Sequence, residues 1–264
     1  MLKSNHYKTI VISDIHLGTK NSKAKEVVRF LKPNTCEKLI LNGDIIDGWQ
    51  LQKGSKWRKK HTRFFRVILK MLDKSEIDII YVRGNHDDFL DNLLPLEFNR
   101  LSLVNEHYHY SGGKKFFVIH GDIFDTITTN LRWLAKLGDI GYTFLLWVNK
   151  IYNNRRIKKG LPYFSLSQYV KQKVKSAVSY ISDFEKELVD LAKSKNCSGV
   201  ICGHIHHPAI TQYGDLVYMN SGDWVESLSA LVEDFNGNWK IIYYSDLLIE
   251  EEIEGKKVSN SYDI

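Results

Sequence analysis

Five short apolar runs in this chain stop on the same kind of polar punctuation, and that recurrence narrows the folds open to it. Lys8-Thr9-Ile10-Val11-Ile12 leads into Ser13-Asp14-Ile15-His16-Leu17-Gly18, and Lys38-Leu39-Ile40-Leu41 into Asn42-Gly43-Asp44-Ile45-Ile46-Asp47. The run Ile77 to Val82 is followed by Gly84-Asn85-His86-Asp87. Lys115-Phe116-Phe117-Val118-Ile119 ends in His120-Gly121-Asp122, and Gly199-Val200-Ile201-Cys202 in Gly203-His204-Ile205-His206-His207-Pro208. Runs this short and this apolar read as buried strands. Between the first two lies a stretch from Ser22 to Leu31 with helical spacing in Ala24, Val27, Val28 and Leu31, stopped by Lys32-Pro33-Asn34. Strand, helix, strand in that order predicts a parallel pair with a right-handed crossover, which sets Asp44 beside Asp14 at the carboxyl edge of one sheet.

Elsewhere the pattern predicts a basic helix from Gln50 to Leu72, a loop through Pro95, a strand at Leu216 to Met219, and an antiparallel hairpin turning at Asn236-Gly237. At 264 residues the expectation is a single domain over residues 1–264, with a helical insertion or lid over 123–195.

The residue types at the strand ends suit metal chemistry. Asp14 and His16 lie two apart, as do His204 and His206, so in extended geometry each pair faces one centre. Asp14, His16, Asp44, Asn85, His120, His204 and His206 together offer seven O and N donors without a thiolate, which suits two hard or borderline divalent ions, Mn²⁺ being a natural occupant. One carboxylate such as Asp44 can bridge two metals about 3.5 to 4 Å apart, and binding lowers the pKa of an enclosed water toward roughly 7. His86 could donate to a phosphoryl oxygen and Asp87 could hold its ring. A histidine is more often a surface or hydrogen-bonded core residue, and His6, His61, His107, His109 and His207 are read so; the other five all follow strands.

In this order the blocks Asp-x-His, Gly-Asp-x-x-Asp, Gly-Asn-His-Asp, His and Gly-His-x-His resemble the calcineurin-like metallophosphoesterases. The resemblance implies an α/β fold, a four-layer α/β/β/α sandwich of two sheets flanked by helices. It also implies Asp14, His16, Asp44 and His206 on one metal, with Asp44, Asn85, His120 and His204 on the other. His86, oriented by Asp87, would then be the catalytic pair that stabilises or protonates in the transition state. Within the superfamily the chain is most similar to the UDP-2,3-diacylglucosamine pyrophosphatases of the lipid A pathway, on Gly43-Asp44-Ile45-Ile46-Asp47-Gly48-Trp49, the first and last blocks, and the insertion. The best-known members carry Arg where this chain has His86. The likeness implies a Mn²⁺-dependent hydrolase that yields UMP and 2,3-diacylglucosamine 1-phosphate from an acylated nucleotide-sugar. A phosphodiesterase acting on another phospho-lipid, nucleotide or nucleic acid is the alternative, and a non-catalytic scaffold ranks last.

Charge adds a partner class. The formal net charge is +6, and from Thr126 to Ser176 ten bases face one acid, Asp139, among Leu131, Trp133, Phe144 and Trp147. Such a stretch suits an acidic membrane surface or a lid over acyl chains, so peripheral contact with the inner face of the membrane is expected and nucleic acid is not. Ser167, Lys171 and Lys175 share a helical face and are the candidate substrate contacts. The longest apolar run, near Tyr142 to Val148, is well short of the roughly 20 residues that cross a bilayer. The first eight residues carry no signal-type apolar stretch, and cytoplasmic residence is expected. Cys36, Cys197 and Cys202 lack metal-site spacing and are read as unpaired and uncatalytic.

Overall fold

Alternation along the strands builds the centre of the molecule. The computed structural model describes residues 4–74, 76–127, 151–153, 155–156, 158–160 and 166–249, and the side chains of all of these except 74, 125–127 and 166–177. Strands β1 (Asn5–Ile12), β2 (Asn34–Asn42) and β3 (Asp78–Val82) lie parallel in a seven-stranded sheet. Ile10, Ile12, Leu39, Leu41, Ile79 and Tyr81 pack on one face with helices α1 (Ala24–Leu31) and α3 (Lys59–Lys74). The residues between them, Val11, Ile40, Ile80 and Val82, turn to the other face. There they meet Phe116, Val118, Ile201 and Met219 of a five-stranded sheet. Period-two alternation of two apolar sets is what a strand covered on both sides requires, and the fold is the α/β sandwich of two sheets flanked by helices.

The first sheet continues through β5 (Leu101–Val104), parallel to β3, to the edge strand β4 (Leu96–Phe98). On its other side β11 (Ser229–Glu233) and β12 (Trp239–Tyr243) form the antiparallel hairpin read from Asn236-Gly237. The second sheet runs β6 (His107–Ser111), β7 (Lys114–Val118), β8 (Gly199–Cys202), β10 (Leu216–Asn220) and β9 (Ala209–Tyr213), with β7, β8 and β10 parallel. A short helix α2 (Gly48–Gln52), a long one, α4 (Leu166–Ser194), and two 3-10 helices, Asn85–Leu93 and Asp122–Ile127, complete the described elements. The chain divides into two compact units, Met1–Asp122 with Leu188–Ile264, and Ile123–Glu187. No helix among the described residues is long and apolar enough to cross a membrane.

Two sequence expectations need correcting. The helix predicted over Gln50 to Leu72 is broken into α2 and α3, because Gly54 sits at φ +86°, in the left-handed region that ends a helix. The loop predicted through Pro95 contains β4, whose residues are exposed, and β5, whose residues are half-buried, so neither strand has the buried positions of the central ones. Ser167, Lys171 and Lys175 fall on α4 where side chains lie outside the described residues, as does most of the basic stretch from Thr126 to Ser176.

One buried carboxylate ties the sheets together. Glu233 on β11 lies 2.8 Å from Lys8 Nζ of β1 and 2.8 Å from His109 Nε2 of β6, and accepts from Ser111 Oγ. Burial pushes its carboxyl up, but His109, Lys8 and Ser111 outweigh that and hold it down to about 2, from 4.5. A pKa lowered by folding stabilises fully above the unfolded value and is lost as pH falls toward the folded one. Urea unfolding of the parent should therefore weaken as pH drops from 4.5 toward about 2. Glu233→Gln should flatten that limb and cost about 3 kcal/mol at neutral pH, because it strands His109 and Lys8.

Candidate metal centre

The carboxyl ends of β1, β2, β3, β7 and β8 bring the five polar blocks to one edge. Their loops are stitched by backbone bonds: Asp14 N to Gly43 O (3.0 Å), His16 N to Asp44 O (2.9 Å) and Gly203 N to His120 O (3.0 Å). Side chains add His86 N to Asp44 Oδ1 (2.8 Å) and His204 N to Asp14 Oδ2 (3.0 Å). Among the described residues eight that are not glycine have positive φ, and five of them are Asp14, His16, Asp44, His204 and His206. That conformation costs about 1–2 kcal/mol for each L-residue. Its concentration here marks loops shaped to aim side chains inward rather than to turn the chain cheaply.

Among the described residues three groups have ligand atoms within 4.8 Å of one another: Asp14 with His16 and His206, Asp44 with His120 and His204, and His16 with Asp44 and His86. His206 Nε2 is 3.2 Å from Asp14 Oδ1, and His120 Nε2 is 3.5 Å from Asp44 Oδ1. Asp44 Oδ2 lies 3.8 Å from both His16 Nε2 and His86 Nε2, so this carboxylate faces three imidazoles. Asp14 Oδ1, Asn85 Oδ1 and His120 Nε2 are buried atoms with no hydrogen-bond partner. Unpartnered polar atoms on a wholly O and N donor set are costly unless something binds them, and they fit divalent cations.

Electrostatics favours the same reading. Burial raises the Asp14 carboxyl, but the imidazoles of His120 and His206 outweigh it and hold it down to about 2. Burial acts likewise on Asp44, and His120, His16 and His86 carry it well below the usual carboxylate range. Asp14 and Asp44 thus stay ionised with almost no solvent access, and a cation meets charge already in place. His120 moves the opposite way: burial lowers it, and the carboxylates of Asp44 and Asp14 raise it well above the ordinary value. Its Nδ1 lies 2.9 Å from Asn42 O, which leaves Nε2 for the centre.

Asp87 does not orient His86, as expected from adjacency. Its buried carboxylate accepts from Ile45 N (3.2 Å), Ile46 N (2.9 Å), Tyr81 Oη (2.8 Å) and Gly84 N (3.3 Å), and so shapes the loops of two blocks. Burial and the neighbouring Asp44 push its carboxyl up to about 7. The carboxylate facing the ring is Asp47: Oδ1 is 3.0 Å from His86 Nδ1, and Oδ2 is 3.3 Å from His16 Nδ1. Burial raises Asp47, while His16 and His86 pull it below the usual range. The spacing Asp44-x-x-Asp47 was the available signal, since Asp47 also caps α2 through Gln50 N (2.9 Å) and is thereby fixed three residues beyond Asp44. Trp49 is 37% exposed and lies over His86 at 4.2 Å between ring centroids. Two further residues were missed. Arg83 ties the third and fourth blocks through Asp91 and Asp122 (both 2.7 Å), and Asp223 Oδ1 lies 3.8 Å from His206 Nδ1.

A UDP-2,3-diacylglucosamine hydrolase of Shewanella piezotolerans is 25% identical over 85% of this chain and 93% of its own length. The protein of that name from Blochmanniella pennsylvanica is 25% identical over 76% of this chain and 80% of its own. Among solved structures, Yfce, a phosphoesterase from E. coli, aligns over 90% of this chain and 94% of its own at 17% identity and a TM-score of 0.47. The family model described as calcineurin-like phosphoesterase matches residues 7–208, from the first strand through the last histidine block. The chain therefore belongs to the calcineurin-like phosphoesterase family, a family of metal-dependent phosphoester hydrolases.

Proposed function

We propose that this chain hydrolyses the pyrophosphate of UDP-2,3-diacylglucosamine to UMP and 2,3-diacylglucosamine 1-phosphate, with two Mn²⁺ ions. The observation that carries the chemistry is the convergence of ionised Asp14 and Asp44 with five imidazoles at one sheet edge, where Asn85 Oδ1 is also buried without a hydrogen-bond partner. Asp14, His16, Asp44 and His206 would hold one ion, and Asp44, Asn85, His120 and His204 the other. When bound, such ions neutralise phosphate charge and acidify water. The substrate class is supported by relatives that carry that hydrolase name at 25% identity.

The chain's own residues have defined tasks in this reading. Asp47 keeps the His86 ring in place through Nδ1, so Nε2 points toward Asp44 and can hold a proton. Water oxygen bonds to one phosphorus and releases a proton to solvent as the bridging P–O bond breaks, while His86 Nε2 gives its proton to the departing phosphate and regains one from solvent. Trp49 covers the other face of His86 and limits access of bulk water. An acylated substrate also places the enzyme at the inner face of a membrane.

With Mn²⁺ and this substrate the purified protein should release UMP, read by chromatography. His86→Ala should lower turnover by about 10² to 10⁴-fold with metal content unchanged. Absence of UMP from protein shown to hold two ions would refute the substrate and leave the family membership intact.

A further inference from the structure

Helices α1 and α3 cover the outer face of the larger sheet and present solvent with mainly basic charge. On α3 the exposed residues Lys59, Arg63, Arg66 and Lys70 recur at i, i+4, i+7 and i+11, which is one helical face. On neighbouring α1, Lys25 and Arg29 are exposed. Within these two helices the acids are Glu26 and Asp73 alone. The start of α3 is held against the segment before α1 by Lys60 Nζ, which donates to Lys20 O (3.4 Å) and to Ser22 O. The bases crowd there: burial first, then Arg58, with smaller help from Lys23 and Lys25, push the Lys60 ammonium below its ordinary value against the opposing pull of Glu26. Like charges that outnumber the acids beside them oppose one another, and an anionic partner relieves that repulsion.

Apolar side chains border the same face. Leu69 is 62% exposed on α3, and Trp57, just before it, is 42% exposed with its indole held by Thr62 Oγ1 at 2.9 Å. A nucleic acid would neutralise the bases but offer Leu69 nothing to enter, whereas a bilayer interface takes both. The start of α3 also adjoins the catalytic edge, because His61 Nδ1 accepts from both Arg58 N and Gly18 N at 3.2 Å, and Gly18 closes the block that carries Asp14 and His16.

We propose that the solvent face of α1 and α3, with Trp57 and Leu69 at its border, docks on an anionic lipid bilayer beside the mouth of the metal centre. This deepens and partly rests on the acyl-substrate reading, but its test needs no substrate. The full chain is mixed with vesicles of phosphatidylglycerol and phosphatidylcholine, or of phosphatidylcholine alone, and sedimented at low and physiological salt. Binding should require the anionic lipid and weaken with salt. The triple variant Arg63→Gln, Arg66→Gln, Lys70→Gln should bind about a hundredfold more weakly while melting as the parent does. If the triple variant melts early, Leu69→Ser serves instead and should weaken binding to the same vesicles. Equal binding by the folded variants, equal binding to neutral vesicles, or tighter binding to a DNA duplex at physiological salt would each overturn the proposal. UMP release fails or succeeds separately from any of these.

Discussion

Asn in place of Asp44 is expected to lower turnover on the order of 10³-fold, beyond the roughly 10 to 100-fold that loss of an outer partner of a metal ligand costs. Asp44 Oδ1 accepts from His86 N at 2.8 Å and lies 3.5 Å from His120 Nε2, while Oδ2 is 3.8 Å from His16 and from His86. An amide keeps the size and the acceptor for His86 N, so the loops hold their shape. What disappears is a negative charge that faces the imidazoles of His16, His86 and His120. Elemental analysis of the purified variant should show metal lost along with activity, and circular dichroism should show the fold retained. Two ions bound at the parental affinity would count against Asp44 as the shared ligand.

The second large effect is expected from a methyl group. Gly43 has φ +81°, and a Cβ there would lie 2.3 Å from His120 Nδ1 and 2.4 Å from its Cγ. Gly43→Ala therefore adds about 1–2 kcal/mol of backbone strain and also drives the ring of His120 off Asn42 O. The thermal midpoint should fall, and the group of Asp44, His120 and His204 should lose its ion before the group of Asp14, His16 and His206. Gly54→Ala is the internal control: φ is +86° but nothing lies within 4 Å of the added methyl. It should cost only the backbone strain and leave metal binding as it was.

The parts of this molecule that could be read from its residues are those where side-chain type and strand geometry point the same way. Ile10-Val11-Ile12 and Leu39-Ile40-Leu41 are apolar at every position because both faces of β1 and β2 are covered, and their polar ends gather because the strands are parallel. Where two physical effects compete, the reading failed. Asp87 adjoins His86 in the chain, yet four backbone and phenol donors claim its carboxylate, and a left-handed turn at Asp44 delivers Asp47 to the ring instead. The basic run from Lys53 to Arg66 has helical periodicity on both sides of Gly54, and only the positive φ of that glycine divides it. Strands β4 and β5 were invisible because their partners, not their own composition, make them strands.

Anyone transplanting this centre into another scaffold would find side-chain identity an insufficient recipe. Five of the inward-aimed acids and imidazoles sit on backbone of the mirror-image hand, so a host with ordinary loops would present the same seven residues facing apart. The chirality of the loops has to travel with the chemistry, and valine or isoleucine scanning at those five places would report on loop handedness as much as on ligand loss.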